Sequence, residues 1–422
     1  MPAFSIPLSG LTASSTALST VANNLANLNT IGYKDEQIQF SDLFYENLGT
    51  SGAGDPIQQG AGTAVSSMPS NFTQGNVTPT GVATDVAIMG GGFFVVEKNG
   101  VQSFTRAGNF EVGTDNLLET TNGQQVLGYQ AVNGSIDASA GLGPLALGAG
   151  TISPASATTN VEMTSNLNAT DPVGNSYSTN VTVYDSLGAS HNITFTFTKT
   201  GTNAWTYSAS IPLADITPAS GTNPSDPVVL ATGSLTFDGN GDLIDPTSAD
   251  GSIAISTSSF GTMADGAKDL SFNWNLCDQN GNGLLTQLAS ADSTSSIQQD
   301  GSGSGTLVNF NIGSDGTITG SFSNGKTAVL GQIALASFAD EQGLSQTGQN
   351  DYQPTLASGQ ATIGAPGTGG LGSISGGALE QSNVDIATEF ANLIVAQRSY
   401  EANARVVTTF DQVAQDTINL KQ

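Results

Sequence analysis

The first 33 residues carry no charged side chain, and the first one in the chain is Lys34. A solvent-exposed helix normally keeps a charged face. This segment instead spaces Phe4, Leu11, Leu18 and Leu25 by seven, with Val21 and Leu28 three residues after two of them. That spacing predicts a short helix with an a/d-like seam. Pro7 suits its first turn, and Asn23, Asn24, Asn27, Asn29 and Gly32 weaken and stop it. Its Ser, Thr and Asn content makes it a poor partner for lipid, so protein must surround it. Gly10 and the asparagines lower its intrinsic helicity, so it is expected to order only beside neighbours.

The other end of the chain reads as a second, longer helix. Ser382 and Asp385 have the spacing of a capping box, and the pattern then runs to about Leu420, a rod of roughly 57 Å at ~1.5 Å per residue. One apolar stripe is Ile386, Leu393, Tyr400, Val407 and Ala414, with Phe390 beside it; a second is Val395, Val406, Phe410, Val413 and Leu420. At ~100° per residue the two lie on different sides of the helix. One stripe can pack within the chain, and the second needs another surface. Pairing the two terminal helices gives a coiled-coil-like stalk that cannot bury all its apolar surface alone. Contacts between copies of such a stalk would be heterologous, and heterologous contacts that do not close build helical filaments.

Between the helices the pattern is β. Runs such as Phe93–Val96, Ile193–Phe197, Ser234–Phe237 and Thr306–Phe310 are separated by Asn-Gly and Asp-Gly pairs, among them Asn99-Gly100, Asn133-Gly134, Asp238-Gly239 and Asn324-Gly325. These dipeptides favour the positive φ of tight hairpins. Gly/Ala/Ser/Pro-rich residues 141–158 and Ser/Gly/Asp-rich residues 289–305 suggest a nested insertion. The expected division is an N-terminal helix at 1–33, an extended linker at 34–74 and an inner β domain at 75–158 and 289–376. An outer β domain is inserted at 159–288, and the C-terminal helix occupies 377–422.

The chemistry this chain can perform is narrow. Among 422 residues there are nine Lys and Arg, 35 Asp and Glu, one His and one Cys, for a net charge of −26. Such a surface repels nucleic acid and anionic membranes. One cysteine, Cys277, allows no intrachain disulfide. One histidine, His191, excludes His/Cys zinc clusters and Cys/His nucleophile pairs. Its place beside Asn192 reads as a surface strand position, so no catalytic residue, metal ligand or cofactor site is assigned. Asp278, Asn280, Asn282 and Gly283 resemble the start of a calcium loop, but Ala289 stands where the bidentate Glu belongs. These residues, and Asp238, Asn240 and Asp242, are read as Asx turns. There is neither a continuous apolar stretch long enough to span a membrane nor a cleavable secretory signal.

Two segments resemble a known family. Residues 23–34, N-N-L-A-N-L-N-T-I-G-Y-K, resemble the N-terminal signature of bacterial flagellar rod and hook proteins, carried here by Asn24, Leu25, Ala26, Asn27, Asn29, Thr30, Gly32, Tyr33 and Lys34. Residues 397–406 resemble the C-terminal signature, carried by Gln397, Arg398, Tyr400 and Asn403. Phe72–Val77, Thr84–Ile88, Gly92–Val96, Phe104–Arg106 and Leu127–Tyr129 are similar to the opening of the family's inner β domain. Asn116 departs from the pattern where many members have Gly. Rod members lack a large insertion, so residues 159–288 place the resemblance with the hook members. It implies a non-enzymatic subunit of a curved, hollow, extracellular tube that carries torque. It also implies export by the flagellar type III apparatus without a cleaved signal. The implied partners are further copies of the chain, the rod, a cap protein and hook-associated proteins. The terminal helices would form the inner tube, with Phe4, Leu11, Leu18, Val21, Leu25, Leu28, Ile386, Phe390, Leu393, Tyr400, Val406, Val407, Phe410 and Val413 as assembly contacts. A rod component, or an exported carbohydrate-binding β protein with an aromatic groove around Trp205 and Trp274, are the alternative readings.

Overall fold

A computed structural model describes residues 5–52, 54–132, 134–148, 151–219, 225–246, 251–278 and 282–419, without the side chains of residues 46 and 47. Phe4 and Leu420 lie outside the described residues. The chain forms two compact units. The first comprises Met1–Gly148, Asn309–Gly320 and Ala328–Gln422; the second comprises Ala149–Val308 and Ser321–Thr327. The second is therefore wider than the span 159–288.

In the first unit, α1 (Ser5–Ala26) packs along α2 (Ile386–Asn419). α1 buries Ala13, Ser14, Ala17, Thr20, Val21 and Asn24. Leu11, Leu18 and Leu25 are only half-buried. The pairing face is thus the small-residue side, rotated away from the leucine seam. Small side chains let the helices approach closely, and Gly10 marks the tightest point: a Cβ there would stand 2.9 Å from the Asn403 side chain. The N-terminus of α2 is capped differently from expectation. Asp385 itself is the N-cap, its Oδ1 accepting from the Thr388 amide at 2.8 Å, while Ser382 Oγ accepts only from Val384 N nearby at 3.4 Å. That backbone bond holds the Asp385 carboxyl below its usual range.

Residues 34–74 are more structured than a linker. Gln39–Asp42 pairs with Thr63–Ser67 and Tyr45–Thr50 with Pro56–Gly60, giving a long antiparallel hairpin. Its apolar side chains are mostly uncovered, with Phe44 94% exposed.

The β body of this unit is a sheet ordered Thr327–Ile333, Gln125–Val132, Phe93–Lys98, Val101–Thr105, Asp351–Gln353 and Ser345–Gly348. Phe93–Lys98 is buried on both faces because alternate side chains feed different cores. Phe94 and Val96 join Ile88, Leu118, Ile318 and Ile333 on one side; Phe93 and Val95 join Phe104 and Tyr352 on the other. The Asn99-Gly100 turn after it has φ of 54° and 79°, the geometry its sequence demands. Asn116 takes φ 64°, a left-handed turn geometry that asparagine tolerates.

The second unit is a sandwich of two sheets. One is antiparallel through Ser176–Tyr184, Ser190–Gly201, Ala204–Ile211, Val228–Phe237 and Leu243–Asp245. The other is built around Asn160–Asn168, which pairs in parallel with Ser271–Asn275 and Leu285–Leu288 and antiparallel with Ser293–Gln299. Trp205 and Trp274 are both fully buried between the sheets, Trp274 lying 4.8 Å from the Phe195 ring. Neither tryptophan is available to line a sugar-binding groove.

His191 is not a surface residue. It is 6% exposed and in phase with inward-facing Ile193, Phe195 and Phe197. Its Nε2 lies 3.0 Å from Asp185 Oδ2. Burial pushes the Asp185 carboxyl up, but hydrogen bonds from His191 and from the Ala189 and Leu187 amides outweigh it and hold the carboxyl below its usual range. The Asx turn at Asp238 is as read, its Oδ1 accepting from the amides of Asn240 and Asp242; Asp278 Oδ1 accepts from the Asn282 amide, and Asn280 lies outside the described residues.

Candidate functional site: a buried joint and an uncovered helix face

Two features of the first unit stand apart from ordinary packing. One is a buried polar joint where α1 ends, α2 begins and the β body starts. The other is the apolar surface that α2 leaves open.

The joint centres on Glu380, which is 1% exposed. Its Oε1 accepts from Lys34 Nζ at 2.7 Å and from the Gly75 amide at 2.8 Å, while Arg106 Nε lies 3.2 Å from its Oε2. Lys34 also donates to Thr73 O at 2.8 Å, and Arg106 Nη1 to Gly90 O at 2.9 Å and Gly92 O at 2.6 Å. Two cations thus share one buried carboxylate. Burial lowers the Lys34 ammonium pKa, Arg106 lowers it further, and Glu380 opposes both. Such a cluster holds position only while all three members are present.

A second layer locks α1 to α2. Asn24, 1% exposed, donates to Glu36 O at 2.9 Å, and its Oδ1 accepts from the Glu36 amide and from Tyr33 OH at 3.1 Å each. Its Nδ2 also reaches Glu389 Oε2 on α2 at 3.4 Å. Burial, and then the carboxylates of Glu36, Asp35 and Glu389, push the Tyr33 phenol up, so it remains a donor. Asn383 ties the Asp35 amide to the Asn71 carbonyl, at 2.8 Å on each side. Gly32 has φ 68°, and a Cβ there would lie 2.7 Å from the Arg106 backbone. Only glycine meets both demands.

Most of the N-terminal signature therefore has an internal task. Asn24, Gly32, Tyr33 and Lys34 are buried; Leu25, Asn27 and Thr30 are half-buried; Ala26 and Asn29 are exposed. In the C-terminal signature Asn403 packs against Gly10, whereas Gln397, Arg398 and Tyr400 face outward. Among the described residues Arg398 pairs only with Glu401, at 3.2 Å on an exposed surface. Sequence reasoning did not single out Glu380, Asn383 or Glu389. No short-range signal pointed to them: Lys34 and Arg106 meet Glu380, but buried Lys199 donates to the Ala169 carbonyl, so a buried basic residue does not by itself call for an acid.

Turning to the assembly set, Val21 is buried, and Leu11, Leu18, Leu28, Leu393 and Val407 are half-buried. Ile386, Phe390, Tyr400, Val406, Phe410 and Val413 are exposed, between 37% and 55%. Ile394, Val395 and Ile418 join them at 57%, 66% and 66%. The only buried residues of α2 are Glu389 and Ala396, both in its first half. Fully burying a large apolar side chain is worth ~1.5–3 kcal/mol, and these partly exposed ones each forgo a share of it. A helix of this kind gains that energy by meeting further protein.

Four family models match segments of the chain. "Flagella basal body rod protein" matches residues 6–34 and "Flagellar hook protein FlgE/F/G D1 domain" residues 87–166. "Flagellar basal body protein FlaE D2 domain" matches residues 151–302 and "Flagellar basal body rod FlgEFG protein C-terminal" residues 375–420. The flagellar hook protein FlgE of Escherichia coli (strain K12) is 35% identical over 99% of this chain and 100% of its own length. This chain belongs to the flagellar hook protein family. The hook protein FlgE of Salmonella typhimurium is 36% identical over the same shares, and that of Treponema pallidum 32% over 98% of both chains. The Helicobacter pylori flagellar hook protein FlgE2 superposes with TM-score 0.48 at 16% identity, covering 72% of this chain and 100% of that one. Of the residues read as the N-terminal signature, Asn24, Gly32, Tyr33 and Lys34 take part in the joint; of the C-terminal ones, Asn403 sits at the helix pairing and Gln397, Arg398 and Tyr400 on the open face. Among the described residues no helix is long and apolar enough to cross a membrane.

Proposed function

We propose that this protein is the structural subunit of the bacterial flagellar hook, polymerising into a curved hollow tube that transmits torque from rod to filament. The observation that carries the reading is the uncovered far side of α2, where Val395, Val406, Phe410 and Val413 are 66%, 43%, 38% and 55% exposed. Copies of the chain cover that face in the tube, and the joint at Glu380 holds the stalk on the β body under load. The role is structural rather than catalytic. Export through the flagellar type III apparatus, a cap protein during growth, and rod and hook-associated proteins at the two ends belong to the same proposal. The size of the second unit favours hook over rod.

Two outcomes test it. In the isolated chain, the amides of α2 beyond Asn403 exchange fastest, because only Ala404, Val407 and Ala414 there are even half-buried. In the polymer those amides become protected. Equal exchange in both states contradicts assembly through α2. Replacing residues 151–302 by a short Gly/Ser linker leaves tubes that form but bend differently. The second unit brings its own core of 24 buried apolar residues, so its removal spares the first. Complete loss of tubes would place essential contacts in the second unit instead.

A further inference from the structure

The second unit contains a cluster of titratable groups apart from the joint and the open face of α2. His191 opens the strand Ser190–Gly201, Asp185 sits in the turn before it, Asp265 in the turn after Gly261–Met263, and Asp215 ends a short 3-10 turn. His191 Nε2 lies 3.0 Å from Asp185 Oδ2 and 3.9 Å from Asp265 Oδ2; its Nδ1 lies 3.6 Å from Asp215 Oδ2.

Both carboxylates that face Nε2 are fixed by their other oxygen. Asp185 Oδ1 accepts from the amides of Leu187, Gly188 and Ala189 at 2.8, 2.7 and 2.9 Å, and Asp265 Oδ1 from Ala267 N at 2.9 Å. Each therefore directs Oδ2 toward Nε2. Asp185 and His191 are buried, while the Asp265 side chain is 33% exposed and gives water a way in.

We propose that His191 Nε2, Asp185 Oδ2 and Asp265 Oδ2 form a binding site for a divalent cation of the zinc type, with water completing the shell. The three atoms lie within 4.8 Å of one another. Zinc bonds of ~2.0–2.2 Å place tetrahedral ligands ~3.3 Å apart, between the two distances seen from Nε2. One imidazole with two carboxylates is a mixed set that suits zinc better than calcium or magnesium.

An independent observation points the same way. His191 Nδ1 is buried and without a hydrogen-bond partner. With Nε2 on a cation, the ring proton belongs on Nδ1, where it faces the Asp215 carboxylate. That is the outer-shell arrangement that orients metal-bound histidines.

His191 is the sole histidine in the sequence, so imidazole NMR reports on it without assignment. The full chain, stripped with chelator, is titrated with Zn2+ in excess Mg2+ to mask weak carboxylate binding. The expected result is a saturable shift of the Nε2 resonance at one Zn2+ per chain. Asp265→Asn, at the partly exposed edge, raises the Kd at least tenfold, and Asp215→Asn weakens binding by about 10–100-fold. An imidazole spectrum unmoved by Zn2+, or a shift of equal affinity in Asp265→Asn, overturns the site and leaves the cluster as an ion pair within the fold.

Discussion

Tubes are lost from chains carrying Val406→Asp or Phe410→Asp, while the β units stay folded. Both side chains stand on the open side of α2, at 43% and 38% exposure, so a carboxylate there costs the monomer little. In the tube the same carboxylate lies under a neighbouring copy. Burying an unpaired charge between proteins costs several kcal/mol, and ~3 kcal/mol already raises the critical concentration more than a hundredfold. Every subunit repeats the contact, so the defect is not diluted along the polymer. Sedimentation and negative-stain microscopy check the assembly, and circular dichroism checks the monomer. Normal tubes from either variant would show that this side of α2 meets water throughout the hook.

The second large effect concerns the joint. Glu380→Ala leaves Lys34 and Arg106 buried without their shared anion, and breaking a buried pair in this way costs about 3–5 kcal/mol. For a unit of this size that is a drop of roughly 6–20 °C in the midpoint of its thermal transition. Glu380→Gln costs less, because its amide oxygen still accepts from the Gly75 amide and from Lys34. The transition of the second unit is unchanged by either substitution, since its core shares no residue with the joint. Scanning calorimetry distinguishes the two transitions. A Glu380→Ala midpoint within a degree or so of the parent would mean that the joint is dispensable for holding helices to sheet.

Much of this was legible in the sequence because it is written in short-range pattern. A charge-free start, a double-striped end and hairpins marked by Asn99-Gly100 each depend on residues a few positions apart. Non-local features did not show. Lys34 and Glu380 are 346 positions apart, and nothing near either one names the other. The pairing face of α1 was displaced for a related reason. Leucines dominate a hydrophobic pattern, yet close helix approach selects Ala13, Ala17 and Gly10, which carry little hydrophobic signal. His191 was readable and misread: its two-residue phase with Ile193, Phe195 and Phe197 points inward, and polar Asn192 faces the other way.

Gold-labelled antibody against residues 151–302, applied to whole flagellated cells, tests the central claim most directly. The account predicts label on the short curved segment between cell body and filament. Label confined to the rod of stripped basal bodies, or scattered over the cell surface, would contradict it.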